Sequence, residues 1–221
     1  MKSSSATSAS KRIRIPEAAP PADTMEAILL KRMLARRSTP PRHLGLPGPG
    51  AADIELLARI AARAPDHLQL RPFRFVVIEA GQRGSLADVF EAAEEECDPA
   101  LTTEQRARVR ERAHHAPVLL AVIARVQTHE LVPMIEQHAS AGAALGYLLL
   151  AADLMGYGAM EVSGRRLRTP AMRNAFQLAE DEEMLSFIGL GTARKTRSPA
   201  PEPEDGLLRI WRGPVPSPSD I

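Results

Sequence analysis

The 221 residues carry 28 Lys and Arg against 27 Asp and Glu, a formal net charge of +1, with 44% hydrophobic and 25% charged residues. That balance suits one folded domain and excludes a disordered acidic chain; it supplies no bulk field for nucleic acid, and 4% aromatics leave little for base stacking. The single cysteine, Cys97, excludes an internal disulfide framework and a cysteine-based zinc site, and it suits a reducing, cytoplasmic compartment.

Residues 1–23 are rich in Ser, Ala and Pro without the apolar run of a secretory signal, and are expected to form a disordered N-terminal tail. Thr24 stands as the N-cap of a helix from Met25 to Arg36, with Ile28, Leu29 and Leu34 on one side. The prolines at 40 and 41 end that neighbourhood, and the loop GLPGPG at 45–50 leads to a helix from Ala51 to Arg63, closed by Pro65. FRFVVIE at 73–79 reads as a strand, followed by charged helices over 83–96 and 103–115. The apolar run PVLLAVIARV from Pro117 is of strand length.

The longest apolar helix spans 133–155; with its Ala and Gly and its Asp153 it reads as a core helix rather than a membrane span. Its small residues Gly142, Ala143, Ala144 and Gly146 suit either close approach of another helix or packing within the chain. After the stop at Gly156 come a short strand over 157–162, a helix opened by Pro170, and a last core strand over 184–190. Helices and strands interleave without strict βαβ alternation, which predicts an α+β domain over 24–197. Residues 198–221 form a Pro-rich C-terminal arm, in which GLLRIWR at 206–212 is predicted to be a strand.

Nucleophilic and metal chemistry have no foothold. Cys97 sits among Glu94, Glu95, Glu96 and Asp98, which disfavour a thiolate. The histidines lack an HExxH arrangement, no metal site is expected, and GLPGPG lacks both the spacing and the amide donors of a phosphate cradle. What remains is a scatter of cations: Arg36 and Arg37 before Ser38, and Arg63 and His67 around RAPDH. Guanidinium forks suit a phosphate or a carbonyl-rich planar ring. The same arginines also suit a helix C-terminus, an interaction of ~0.3–1 kcal/mol.

Four ordered segments resemble the flavin-dependent nitroreductase family, in its short branch of NAD(P)H nitroreductases: ARRST at 35–39, RAPDHLQLRPFRFVVIE at 63–79, EQHASAGAALGYLLLAADLMGYGA at 136–159 and FIGLGT at 187–192. The resemblance implies a nitroreductase-like α+β fold with a central, mainly antiparallel sheet flanked by helices. It further implies a homodimer with FMN at the subunit interface and a C-terminal strand reaching the partner. NAD(P)H would be the electron donor, and hydride would pass by a ping-pong mechanism to a quinone, nitroaromatic or similar electron-poor small molecule, with no nucleic acid or membrane partner.

Carried over residue by residue, Arg36, Arg37 and Ser38 match the family's early flavin-contacting segment. Arg63 and His67 match positions that reach the flavin held mainly by the other subunit, and Glu161, Val162, Ser163 and Gly164 fall at the reactive edge of the ring. Lys195 and Arg197 are candidate phosphate ligands. No side chain is assigned as a catalytic nucleophile. EVSG at 161–164 departs from the WRSG-like sequence common in this branch, replacing an aromatic–basic pair by Glu161 and Val162. That departure leaves two alternatives open: flavin fragmentation or dehalogenation on the same fold, or a non-catalytic flavin-binding or interaction module.

Overall fold

A computed structural model describes residues 24–195 together with 207, 208, 210, 211 and 213. The tail read over 1–23, Arg197 and most of the C-terminal arm lie outside the described residues. The chain divides into two units, one of residues 1–34 and 199–221, the other of residues 35–198.

In the first unit, helix α1 (Met25–Ala35) starts as its sequence predicts: Ala27 N donates to Thr24 Oγ1 at 3.3 Å, satisfying one of the free amides of the first turn. Its side chains Ile28, Leu29, Leu30, Met33 and Leu34 are exposed. Of the strand predicted over 206–212, Leu207, Leu208, Ile210 and Trp211 are described; they are exposed and none lies in a strand. An extended segment needs a neighbouring strand for its backbone groups, and among the described residues none pairs with these four.

The second unit is built on a sheet of β1 (Leu44–Gly45), β2 (Phe73–Ile78), β3 (Val118–Arg125), β4 (Gly158–Val162) and β5 (Glu182–Ala193). Every pairing is antiparallel: β5 pairs with β3, β4 and, at its end, β1, and β3 pairs on to β2. The helices are α2 (Ala51–Ala61), α3 (Arg83–Cys97), α4 (Thr103–Glu111), α5 (Met134–Leu154) and α6 (Pro170–Ala175).

Strand β3 shows why its sequence is apolar without a break. Leu119, Ala121 and Ile123 pack with Leu86, Phe90 and Met172 of α3 and α6, while Leu120 and Val122 pack with Leu57, Ala61 and Leu148 of α2 and α5. Both faces of the strand are covered, so the usual apolar–polar alternation is absent. Opposite it, Val122 pairs with Ser186 and Ile123 with Met184, leaving Leu185 as a bulge. The extra residue shifts the side-chain phase, so that Met184 and Phe187 reach the same layer.

β5 runs beyond the predicted 184–190 because its glycines serve the packing. A Cβ on Gly191 would lie 2.8 Å from Pro117 Cδ and 2.9 Å from the Gly45 carbonyl, and one on Gly189 would lie 3.1 Å from Ala116 Cβ. These close approaches give FIGLGT a structural reason. β1 is too short for any periodicity and was not predicted. Helix α2 stops at Ala61, before the predicted Arg63, and its last turn tightens as Arg63 N donates to Ile60 O ahead of Pro65. Helix α4 likewise stops at Glu111, with a 3-10 turn over Arg112–His114 completing the predicted segment.

Helix α5 closes at Gly156, whose φ of +88° allows Tyr157 N to donate to Ala152 O at 2.9 Å. It buries Ala144, Leu148 and Ala152 and leaves Ile135, Gly142, Gly146 and Tyr147 exposed. Among the described residues no helix is long and apolar enough to cross a membrane.

Candidate functional site

β4 carries the first group of site residues. Thr39 N donates to Ala159 O at 2.9 Å, which lays the segment Arg36–Ser38 just upstream of a residue tied to β4. The Thr39 hydroxyl is buried with no hydrogen-bond partner among the described residues. Along β4 successive side chains alternate, so Glu161 lines a cavity of about 500 Å³ and Val162, paired with Phe187, does not. At the strand's end Gly164 adopts φ +146° and ψ 172°, a region essentially reserved for glycine. Its carbonyl accepts from Leu167 N at 3.2 Å, starting a 3-10 turn over Arg165–Arg168.

The cavity has Glu161, Ser163 and Gly164 on one side and His138, Gly142 and Leu145 of α5 on another. Arg165, Leu167 and Arg168 of the 3-10 turn and Met184 and Leu185 of β5 complete it. The turn is anchored from beneath by Arg166, which lies 4.9 Å from the Phe90 ring and 3.6 Å from Glu94 Oε2. Burial, together with the nearby Arg112, holds the Arg166 guanidinium below its ordinary pKa. On α5, His138 Nδ1 meets the Met134 carbonyl at 2.9 Å and Nε2 lies 3.9 Å from Glu183.

A second group forms around RAPDH. Arg63, Asp66, Gln69 and Arg71 line a cavity of about 250 Å³. The loop is strained: Leu68, Gln69 and Arg71 have φ of 59°, 54° and 49°. Asp66 organises it by accepting the Arg71 amide at 2.6 Å. His67 Nδ1 meets Glu136 Oε2 of α5 at 2.9 Å. Lys195 stands apart from this loop, just beyond β5 and beside His43, whose imidazole is held below its ordinary pKa by burial and by the cations of Lys195 and Arg42.

Within one chain the structure therefore brings Glu161, Ser163 and Gly164 to one cavity and Arg63 to another, while His67, on the same loop as Arg63, reaches Glu136 of α5 instead of lining that second cavity. Glu136 and His138 are two residues apart on α5, about 200° around the helix, so they serve different sides of it. Sequence reasoning missed Glu136, His138, Gly142, Arg165 and Arg168. The spacing His138–Gly142 on a helix and Arg165–Arg168 around a short turn were the available signals. Among the described residues no group of three or more His, Cys, Asp or Glu is placed to hold a metal ion.

Comparison with known proteins gives a consistent result. The family model described as Nitroreductase family matches residues 33–192. A Haemophilus influenzae protein named "Putative NAD(P)H nitroreductase" is 34% identical over 169 residues, covering 76% of this chain and 89% of that one. YdjA of Escherichia coli K12, which carries the same description, is 30% identical over 172 residues, covering 77% and 88%. Among solved structures, a nitroreductase-like family protein from Bacillus cereus superposes with a TM-score of 0.69 at 18% identity, covering 84% of this chain and 96% of its own. A Desulfovibrio desulfuricans protein described as a "putative nitroreductase in complex with fmn" gives 0.63 at 24% identity, covering 84% and 98%. At these identities the structural likeness establishes the fold.

Proposed function

The chain belongs to the nitroreductase family, and from that membership we propose that it is a homodimeric, FMN-dependent NAD(P)H oxidoreductase. The observation that carries this reading is the pair of separated half-sites, one at the end of β4 and one around RAPDH, on different sides of α5. Two such halves in one chain suit a dimer in which each site is built from both protomers. The exposed apolar side chains of α1 and the exposed small positions of α5 support the same assembly. Trp211, 83% exposed, is suited to a C-terminal segment that docks on the partner.

The residues fit the cofactor by their chemistry. Arg36, Arg37 and Lys195 are cations for a phosphate, and Ser38 adds a short hydroxyl donor. Arg63 and His67 of one protomer would face the pyrimidine side of the ring seated on its partner, favouring negative charge developing there. The backbone at Ser163 and Gly164 would hydrogen-bond flavin N5, with the conformation of Gly164 setting the direction of that segment. When bound, FMN supplies hydride exchange, accepting hydride from NAD(P)H and delivering it to a quinone, nitroaromatic or similar electron-poor acceptor. The protein binds, orients and desolvates, and no side-chain nucleophile is needed. Donor and acceptor would use the same cavity in turn, which gives ping-pong kinetics.

The test is steady-state oxidation of NADH or NADPH by a quinone with both concentrations varied. Parallel reciprocal plots are expected; absence of turnover with FMN present rejects the reductase reading.

A further inference from the structure

Arg165 and Arg168 give the β4 cavity a charge that the flavin reading leaves unused. They stand at the two ends of one 3-10 turn, where residues three apart project on the same side. Arg166 and Leu167 between them are only 8% and 3% exposed, so these two anchor the turn, while Arg165 and Arg168 are exposed and line the cavity. Among the described residues neither Arg165 nor Arg168 forms an ion pair with a carboxylate. Glu161 is the one carboxylate in the lining, and His138 is engaged by the Met134 carbonyl and lies near Glu183. The remaining wall is apolar, with Leu145, Leu167, Met184 and Leu185.

Two cations that line one cavity, neither of them in an ion pair, repel each other, and an anion that meets both lowers that repulsion. Guanidinium forks favour planar, bidentate anions, and the apolar wall suits a flat hydrophobic body. The cations assigned to the FMN phosphate are not among the cavity's lining residues: Arg36 lies three residues before Thr39, whose amide donates to Ala159 O, and Lys195 sits beside His43.

We propose that Arg165 and Arg168 form an anion subsite that selects electron acceptors carrying a carboxylate, with the acceptor's apolar body lying against Leu145, Met184 and Leu185. The proposal rests on reading this cavity as the flavin-edge pocket. It assigns to two residues outside the resembling segments the choice of acceptor class.

The experiment compares para-nitrobenzoate with its neutral methyl ester on the FMN-loaded enzyme and on the R165Q/R168Q variant. The wild type is expected to favour the carboxylate by about 10- to 100-fold in kcat/KM, the range for a charge-assisted bidentate contact. The variant should bring that ratio near unity, mainly by raising KM for the carboxylate. FMN affinity, titrated on the stripped protein, and the NADH-to-NADPH ratio should stay at their wild-type values. A wild-type ratio near unity overturns the proposal. So does a loss of FMN affinity in the variant, which would assign the arginines to the flavin phosphate, or a selective loss of NADPH use, which would assign them to the donor. Ligand-observed NMR of para-nitrobenzoate and the ester on the stripped wild type and variant reads the subsite without turnover. If the wild type binds no FMN, the flavin reading fails, and the NMR preference alone then decides whether the anion subsite exists.

Discussion

His67 Nδ1 lies 2.9 Å from Glu136 Oε2, a contact that joins the loop after α2 to the first turn of α5 across 69 residues of sequence. A carboxylate oxygen accepts hydrogen bonds, so this contact assigns the donor proton to Nδ1. Both side chains are about half exposed, and such a pair contributes only ~0.2–1 kcal/mol to stability. Its consequence is orientation. Glu136→Ala is expected to shift the His67 ring away from the Nδ1–H tautomer, read by nitrogen NMR, and to weaken FMN binding several-fold with little change in Tm. Glu136→Gln, which keeps an acceptor oxygen, should restore part of both. An unchanged tautomer in the alanine variant would remove Glu136 from this role.

Gly164 is a backbone requirement rather than a packing one. A Cβ there meets nothing within 4 Å, yet φ of +146° is closed to other residues. Gly164→Ala should therefore cost about 1–3 kcal/mol locally and be relieved by re-aiming the segment 163–165. The expected result is a folded protein, by circular dichroism, with markedly weaker FMN affinity. Wild-type affinity in this variant would show that the conformation does not serve the cofactor.

Gly146 is exposed on α5, and a Cβ there also meets nothing within 4 Å. Within a single chain Gly146→Leu has room, and leucine is the better helix former by roughly 0.8 kcal/mol. In the proposed dimer, a second α5 packed on this face would leave it none. The substitution should keep or raise helix content while light scattering reports a shift from dimer to monomer, and FMN binding should fall with it. A dimer of undiminished stability would place the interface elsewhere.

Glu182 makes two bonds to Arg74, from Nε at 2.7 Å and Nη2 at 2.9 Å, and accepts the Ala179 amide at 3.2 Å. The Arg74 hydrogen bonds, acting against burial, hold its carboxyl below the ordinary value. A depressed folded pKa means stability that is fully present above the unfolded value, about 4.3, and is lost as pH falls through the lower folded value. With Arg74 partly exposed, the contribution is on the order of 1–2 kcal/mol. Denaturant melts of wild type and Glu182→Gln should differ by that amount at neutral pH and converge in acid; a gap independent of pH would contradict the assignment.

Much of the fold was legible for identifiable reasons. β3 announces itself by unbroken apolar length, since both its faces are covered, and α5 by its length and its run of small and apolar residues, one side of which is buried. Thr24 and Gly156 marked helix ends because each supplies what the helix backbone there lacks. The bulge at Leu185 and the two-residue β1 were not legible, because both are set by the partner strand rather than by local pattern. At the site, Glu161 and Ser163 share a cavity as their spacing of two in a strand allows. Glu136, Arg165 and Arg168 escaped because single charged residues look the same on paper whether they face solvent or a cavity.

A titration of stripped protein with FMN, followed by quenching of flavin fluorescence, decides whether the two half-sites make a flavin site. Saturable, stoichiometric binding to a dimer, weakened by substitution of Arg36 on one side or His67 on the other, is the expected result. A colourless protein that binds no FMN at any concentration tried would contradict it.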